Sequence, residues 1–418
     1  MTQNKSYDAN TLFAAIAIIP FLVPNGLQTF SFMRIVYDLK YLSFIIIALL
    51  TFGNGKIRRK GNDLILAIIS FSLIMIVISA LQKTNVADAV TRMFNLLFPV
   101  LWINYMLKRC ERKTLRGLII YYAILSIINC GIILVNPEGI IATQSSNKTF
   151  LIGIDNKMVF TLLPILGISI FYIEKFLPSR NRKRNIAIAT VIFASSLLAA
   201  WAANGMMAVL VMLFLLYFDK KGFEKFLNLR NGVIAIGVIC FLVVFSNFFS
   251  QGIFAEFITN VLHKDVTFSG RSVLWAQTLK LVYQSPIYGY GIGSDVSNSF
   301  YFWSKGEIIS GFSTHNGYLR ILLEGGIIAL ASYVMIYVVL YKSCKSIWNQ
   351  NRGIRVLTYC TLGLLLTFVF EAEFYSTSML FFYSTSMLFV LGMIYYYSQN
   401  DGLKYSIGDY VEKENSFR

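Results

Sequence analysis

Two histidines occur in 418 residues, and one of them, His315, stands in the run FSTHNGYLRILLEGG at the head of a long apolar stretch. An imidazole titrates near neutrality, so at such a boundary it can take a proton from a hydroxyl, given polar neighbours to orient it. The plainer reading is a helix-end residue bonding a free backbone group. His263 has no comparable setting. Arg271 opens the run RSVLW, and a guanidinium offers a planar fork of donors suited to a diphosphate, although a surface arginine needs no such role. Arg320 and Glu324 are four residues apart and can pair on one helix face. A lone charge at mid-span costs about 2.5–3.5 kcal/mol, which favours their facing the interior and each other. Glu371 and Glu373 form EAE at the end of another apolar run. Two carboxylates can hold a divalent cation, but no His or Asp stands beside them and no D-x-D occurs in the chain, so a hydrated helix end is expected and no metal is called for. GYGIG, Gly289 to Gly293, has no strand before it and no βαβ context, so it reads as a tight turn whose backbone amides could still approach an anion, not as a dinucleotide loop.

The elements that carry these residues are helices in a bilayer. The chain is 56% hydrophobic and only 14% charged, with a mean hydropathy of +0.62, against about 25% charged in soluble domains. Apolar stretches of about 18 to 22 residues recur, each long enough for a hydrocarbon core of roughly 30 Å. Without period-two alternation they exclude an outer-membrane barrel. Spans are read near 12–33, 36–53, 62–81, 93–107, 118–135, 156–173, 186–202, 205–218, 232–250, 317–341, 355–371 and 376–398, about twelve crossings with both termini on one side. That side collects 26 of the 37 Lys and Arg, including Arg58, Arg59, Arg109, Arg112, Arg182, Lys221 and Arg352, which makes it cytoplasmic. The net charge of +16 is thereby a topological signal and calls for no nucleic acid; a surface for anionic membrane lipid is compatible with it. None of the five cysteines falls in an outer link, so no disulfide is expected. The first span follows a short polar start, contains Pro20 and Pro24, and reads as a retained helix.

One link breaks the rhythm. From Gln251 to Asn316 the chain stays on the outer face between the ninth and tenth spans, and loops of this length are usually functional or disordered. This one is rich in aromatics, among them Phe254, Trp275, Tyr290 and Trp303, which is not the composition of a tether. Arg271 to Gln284 can form an amphipathic helix with Leu274, Trp275, Thr278, Leu281 and Val282 on one face, stopped by Pro286 and able to lie along the membrane surface. The organisation is therefore spans one to nine in residues 1–250, an external loop 251–316, spans ten to twelve in 317–398 and a tail 399–418. FYSTSMLF occurs twice in tandem from Phe374, but eight residues turn a helix about 80° past two full turns, so the copies present different faces.

GRSVLW at Gly270 to Trp275, SPIYGYGIG at Ser285 to Gly293 and THNGYLRILLEGG at Thr314 to Gly326 together resemble the bacterial O-antigen ligases and the O-antigen, capsule or exopolysaccharide repeat-unit polymerases, in order and in spacing. A weaker likeness covers Asn156 to Pro164. The resemblance implies an all-α, GT-C-like membrane protein that transfers glycan from an undecaprenyl-diphosphate carrier on the outer face of the bacterial cytoplasmic membrane, without metal, nucleotide or other cofactor. It implies His315 as the catalytic histidine and Arg271 as the contact to the carrier diphosphate. Asn316, Tyr318, Arg320, Glu324, Trp275 and Asn156 are further substrate-binding candidates. Where many ligases have an arginine between spans seven and eight, this chain has Asn204. Arg34, Arg92 or Lys157 is then the candidate for a second diphosphate cation. The implied partners are the lipid-linked oligosaccharide and the flippase and chain-length regulator of the same pathway. A repeat-unit polymerase is expected first, a ligase that passes the glycan to lipid A core, a protein or another surface acceptor second, and a flippase of lipid-linked oligosaccharide third.

Overall fold

The computed structural model describes residues 9–27, 30–53, 62–140, 148–245, 271–294, 301–304, 307–310, 314–371 and 385–400. His263, Glu373, Lys305 and most of the tandem FYSTSMLF repeat lie outside the described residues, as does the side chain of Arg34. The helices in chain order are α1 (Ala9–Ala17), α2 (Ile19–Leu22), α3 (Ser31–Asp38), α4 (Lys40–Phe52), α5 (Asp63–Leu81), α6 (Val86–Val135), α7 (Val159–Phe176), α8 (Arg182–Ala199), α9 (Ala203–Asp219) and α10 (Leu229–Val244). They continue with α11 (Arg271–Gln284), α12 (Gly317–Cys344), α13 (Arg352–Thr367) and α14 (385–400). Among the described residues four helices are long and apolar enough to cross a membrane: α5, α6, α7 with the 3-10 turn Asp155–Lys157 ahead of it, and α12. Shorter apolar helices cover Ala9–Leu22, Lys40–Phe52, Ala203–Asp219 and Leu229–Val244. In hydrocarbon no water bonds the backbone, so apolar segments close their hydrogen bonds internally as helices.

Helix α6 is 50 residues, about 75 Å at 1.5 Å per residue, more than twice a bilayer core. It is interrupted at Cys110, whose φ of −145° and ψ of 52° are not helical, in the middle of the basic run KRCERK. The two spans read from the sequence lie on either side of that corner. Helix α7 is buried on every face from Val159 to Phe171, and α13 is nearly so. A helix apolar all round belongs in the middle of a bundle. Close approach there depends on small residues: Gly363 of α13 backs onto the Ala208 carbonyl of α9, and Gly167 of α7 onto Cys360. The starting end of α13 is tied by charge. Arg355 Nε donates to Asp219 Oδ1 at 2.6 Å, Tyr359 donates to the same oxygen at 2.8 Å, and Arg352 reaches Glu174 at 3.5 Å.

Two elements differ from the sequence reading. Tyr301–Ser304 (β1) and Glu307–Ser310 (β2) pair antiparallel with Ser304 opposite Glu307, so among the described residues a two-stranded ribbon stands between α11 and α12. Aromatic and β-branched residues on both sides of a Lys-Gly pair favour this pairing. Helix α11 does not reserve its apolar face for the membrane surface. Leu274, Trp275 and Thr278 are buried, and Leu274 packs with Leu323 of α12, with Leu281 and Val282 beside them.

Candidate functional site

Asn316 caps α12. Its side-chain oxygen accepts from the backbone N–H groups of Tyr318 at 3.0 Å and Leu319 at 2.9 Å, which satisfies donors that no helix can satisfy alone. Just before the cap, His315 has φ of +44°, in the left-handed region that non-glycine residues seldom occupy. That turn is held from below. Trp275, fully enclosed, donates its indole N–H to the Thr314 carbonyl at 3.0 Å, tying α11 to the histidine turn.

The other half of the site is the end of α13. Beyond Thr367 the carbonyls of Phe368, Val369 and Phe370 each accept from a residue of the histidine turn or of α11. Gly317 N–H donates to Phe368 at 2.8 Å, the Asn316 amide to Val369 at 2.9 Å, and Arg271 Nη1 to Phe370 at 2.7 Å. A helix C-terminus carries partial negative charge, so a guanidinium is favoured there. Glu371 follows directly. Its buried carboxylate accepts from Asn204 Nδ2 at 3.2 Å, faces Arg271 Nη2 at 3.5 Å on the same oxygen, and presents its other oxygen to His315 Nδ1 at 3.8 Å. Asp155, in the turn before α7, is near enough to Glu371 for their charges to interact. Four segments distant in sequence thus converge on the Glu371 carboxylate.

A second cluster lies further along α12, about 12 Å from the cap by helical rise. Glu324 receives Arg320 Nε on one oxygen at 3.1 Å and Arg92 Nη1 of α6 on the other at 3.2 Å, with Asp88 3.9 Å from Arg92. Immediately beyond, α12 is broken at Gly326, with φ of +62° and ψ of −165°. The SPIYGYGIG turn fills the break. Tyr290 N–H donates to the Leu323 carbonyl and Gly291 N–H to that of Glu324, both at 2.9 Å, and Ile327 N–H donates to Pro286. Ile292 N–H goes to Ser79 Oγ at 3.0 Å. These amides are spent on protein acceptors, so this part of the turn plugs the helix break and does not offer them to an anion.

Of the candidates read from the sequence, Arg271, His315, Asn316 and Asn204 are brought together at the end of α13. Asn156 lies in the adjoining 3-10 turn, where its N–H bonds Asp155 at 2.7 Å. Arg320, Glu324 and Arg92 form the second cluster instead, and Arg92 is buried against Glu324 and not turned toward Arg271. Tyr318 donates its hydroxyl to the Leu365 carbonyl at 2.8 Å, fastening α12 to α13, and Trp275 has no exposed face. Glu371 is the residue that sequence reasoning misplaced: a hydrated helix end was expected, and the carboxylate is buried and partnered because α11, α9 and the histidine turn close over it.

The family model described as O-antigen ligase matches residues 185–334, from α8 to the middle of α12. The matched stretch holds Asn204, Arg271, Trp275, His315, Asn316, Arg320 and Glu324, and ends before Glu371. No curated protein matches the chain. With the long apolar helices, the match supports a membrane protein with a part in lipid-linked glycan transfer.

Proposed function

We propose that this chain transfers glycan from an undecaprenyl-diphosphate carrier to a sugar hydroxyl of a second lipid-linked glycan, as a repeat-unit polymerase without metal or cofactor. The observation that carries the reading is the meeting of Arg271 and His315 over one buried carboxylate, inside the stretch that matches the O-antigen ligase family model. The acceptor hydroxyl is a poor nucleophile until its proton leaves, and His315 is the group placed to take it. As the new C–O bond forms at the anomeric carbon, the bond from that carbon to the diphosphate oxygen breaks. The departing charge is met by the Arg271 guanidinium in a partly screened setting. One direct displacement inverts the anomeric centre.

The reading includes twelve crossings, both termini in the cytoplasm and the site on the outer face. Its support is that α13 carries Arg352 and Arg355, beside the basic links, at one end and leads to the Glu371 site at the other, about 24 Å away along 16 residues. A ligase, which passes the same glycan to a different acceptor, is the second reading, favoured by the match to the O-antigen ligase family model. The deletion strain tests both. Accumulated single repeat units identify a polymerase, and long polymer left unattached identifies a ligase. His315→Ala, and Arg271→Lys with its lost fork, should each abolish the wild-type glycan while leaving protein abundance intact, a loss of roughly 100-fold or more. Wild-type glycan from the His315 variant would end the general-base role.

A further inference from the structure

Glu371 lies beyond the matched family stretch, yet it touches both groups to which the transfer reading assigns chemistry. Its surroundings are Arg271 from α11, His315 from the turn before α12, Asn204 from the start of α9, and the Asp155 carboxylate from the turn before α7. The contact to Arg271 is long at 3.5 Å, and the Arg271 side chain is 23% exposed, its other arm anchored by the Phe370 carbonyl at 2.7 Å. A diphosphate brings stronger and more numerous acceptors than a carboxylate at that distance. It can therefore take the Nη2 arm of Arg271 while the Nη1 arm stays on Phe370.

We propose that Glu371 is a positioning residue that acts through Arg271 and His315: it holds the guanidinium as an internal anion until a polyprenyl diphosphate replaces it. The carboxylate charge, released from Arg271, then stabilises the imidazolium that His315 becomes on taking the acceptor proton. This inference rests on the glycan-transfer reading. It couples donor arrival to base competence with no moving domain, because one carboxylate serves one cation before the donor binds and the other afterwards. Asn204 keeps the carboxylate in place through the exchange, since a neutral amide neither competes for the diphosphate nor neutralises Glu371.

The test uses the full-length chain in lipid nanodiscs and undecaprenyl diphosphate as the probe, a carrier without sugars. Glu371→Gln keeps the side-chain shape and removes the competing anion. It should bind the probe about fivefold more tightly than wild type, ~1 kcal/mol, while glycan made in the complemented deletion strain falls roughly 100-fold. A residue needed only for folding would weaken both together. Glu371→Asp restores the charge on a shorter arm, and should return probe affinity to within about twofold of wild type, ~0.4 kcal/mol, with part of the glycan recovered. Equal or weaker probe binding by Glu371→Gln, or wild-type glycan from it, overturns the role of Glu371 and leaves glycan transfer standing. Failure of the wild-type chain to bind undecaprenyl diphosphate at all overturns the transfer reading, and this inference with it.

Discussion

Glu324→Ala removes a carboxylate whose two oxygens stand 3.1 Å from Arg320 Nε and 3.2 Å from Arg92 Nη1. With charge centres near 4 Å, each attraction is worth about 4 kcal/mol at an effective dielectric of 20, but desolvating the carboxylate costs several kcal/mol in return. Arg320 is 22% exposed and can turn toward water, so its half of the loss is small. Arg92 cannot. Its side chain is 3% exposed, and stripping a buried charge of its partner costs about 3–5 kcal/mol. Asp88, 3.9 Å away, remains and places the expectation at the lower end, near 3 kcal/mol. Heating detergent-solubilised protein and following the monodisperse fraction by size exclusion should show a midpoint lower by about 3–4 °C. The double variant Arg92→Met with Glu324→Leu should recover most of that loss, because apolar replacement of a buried ion pair is often neutral. A Glu324→Ala midpoint equal to wild type, or a double variant worse than the single one, would refute the assignment of the cluster to scaffold.

The glycine break gives a second contrast. In Gly326→Ala the new Cβ would lie 2.1 Å from the Ile287 carbonyl in a backbone region open to glycine alone, so the protein should fail to accumulate, whereas Gly131→Ala, with nothing within 4 Å, should accumulate normally by immunoblot. For topology, a cysteine placed at Lys305 should label with an impermeant thiol reagent in intact cells, and one at Lys221 only after permeabilisation; the opposite pattern would put the site on the wrong face. Glycan formation in isolated membranes should survive EDTA, and activity lost to EDTA but restored by magnesium or manganese would bring Glu371 and Glu373 back as metal ligands.

The helices were legible because the bilayer leaves an apolar segment one way to bond its backbone, so hydropathy alone marks α5, α7 and α12. The corner at Cys110 was legible too, as a basic run between two apolar ones, although the chain keeps helical geometry up to the corner residue. The hairpin Tyr301–Ser310 was not, since four-residue strands give a short signal inside a loop dominated by aromatics. GYGIG illustrates the limit of a motif. Its glycines say that the backbone bends, and all three take positive φ, but only the break at Gly326 says where the amides go. Glu371 was misjudged for a related reason. It is 100 residues from Arg271 and 167 from Asn204 in sequence, and nothing local to EAE reveals which elements fold over it.

The chain buries two carboxylates on α12 and at the end of α13, each facing two basic side chains, and the differences between them separate scaffold from site. Glu324 makes short contacts, 3.1 and 3.2 Å, and one of its cations is 3% exposed; the pair has no room to exchange partners and the charge is committed. Glu371 is buried just as deeply, yet its basic partners stand at 3.5 and 3.8 Å and are 23% and 25% exposed. A carboxylate held so loosely by basic side chains that reach solvent gains little stability from them, while the same looseness lets a ligand take Arg271 without dismantling the fold. The backbone around it is the reverse of loose: three carbonyls at the end of α13 are each bonded by Gly317, Asn316 or Arg271. Rigid anchors around weakly paired charges are what a reacting site needs, because the geometry is fixed in advance while the charges remain free to answer to substrate. Arg320, Glu324 and Arg92 have the opposite arrangement, and their place in the plugged break of α12 follows from it.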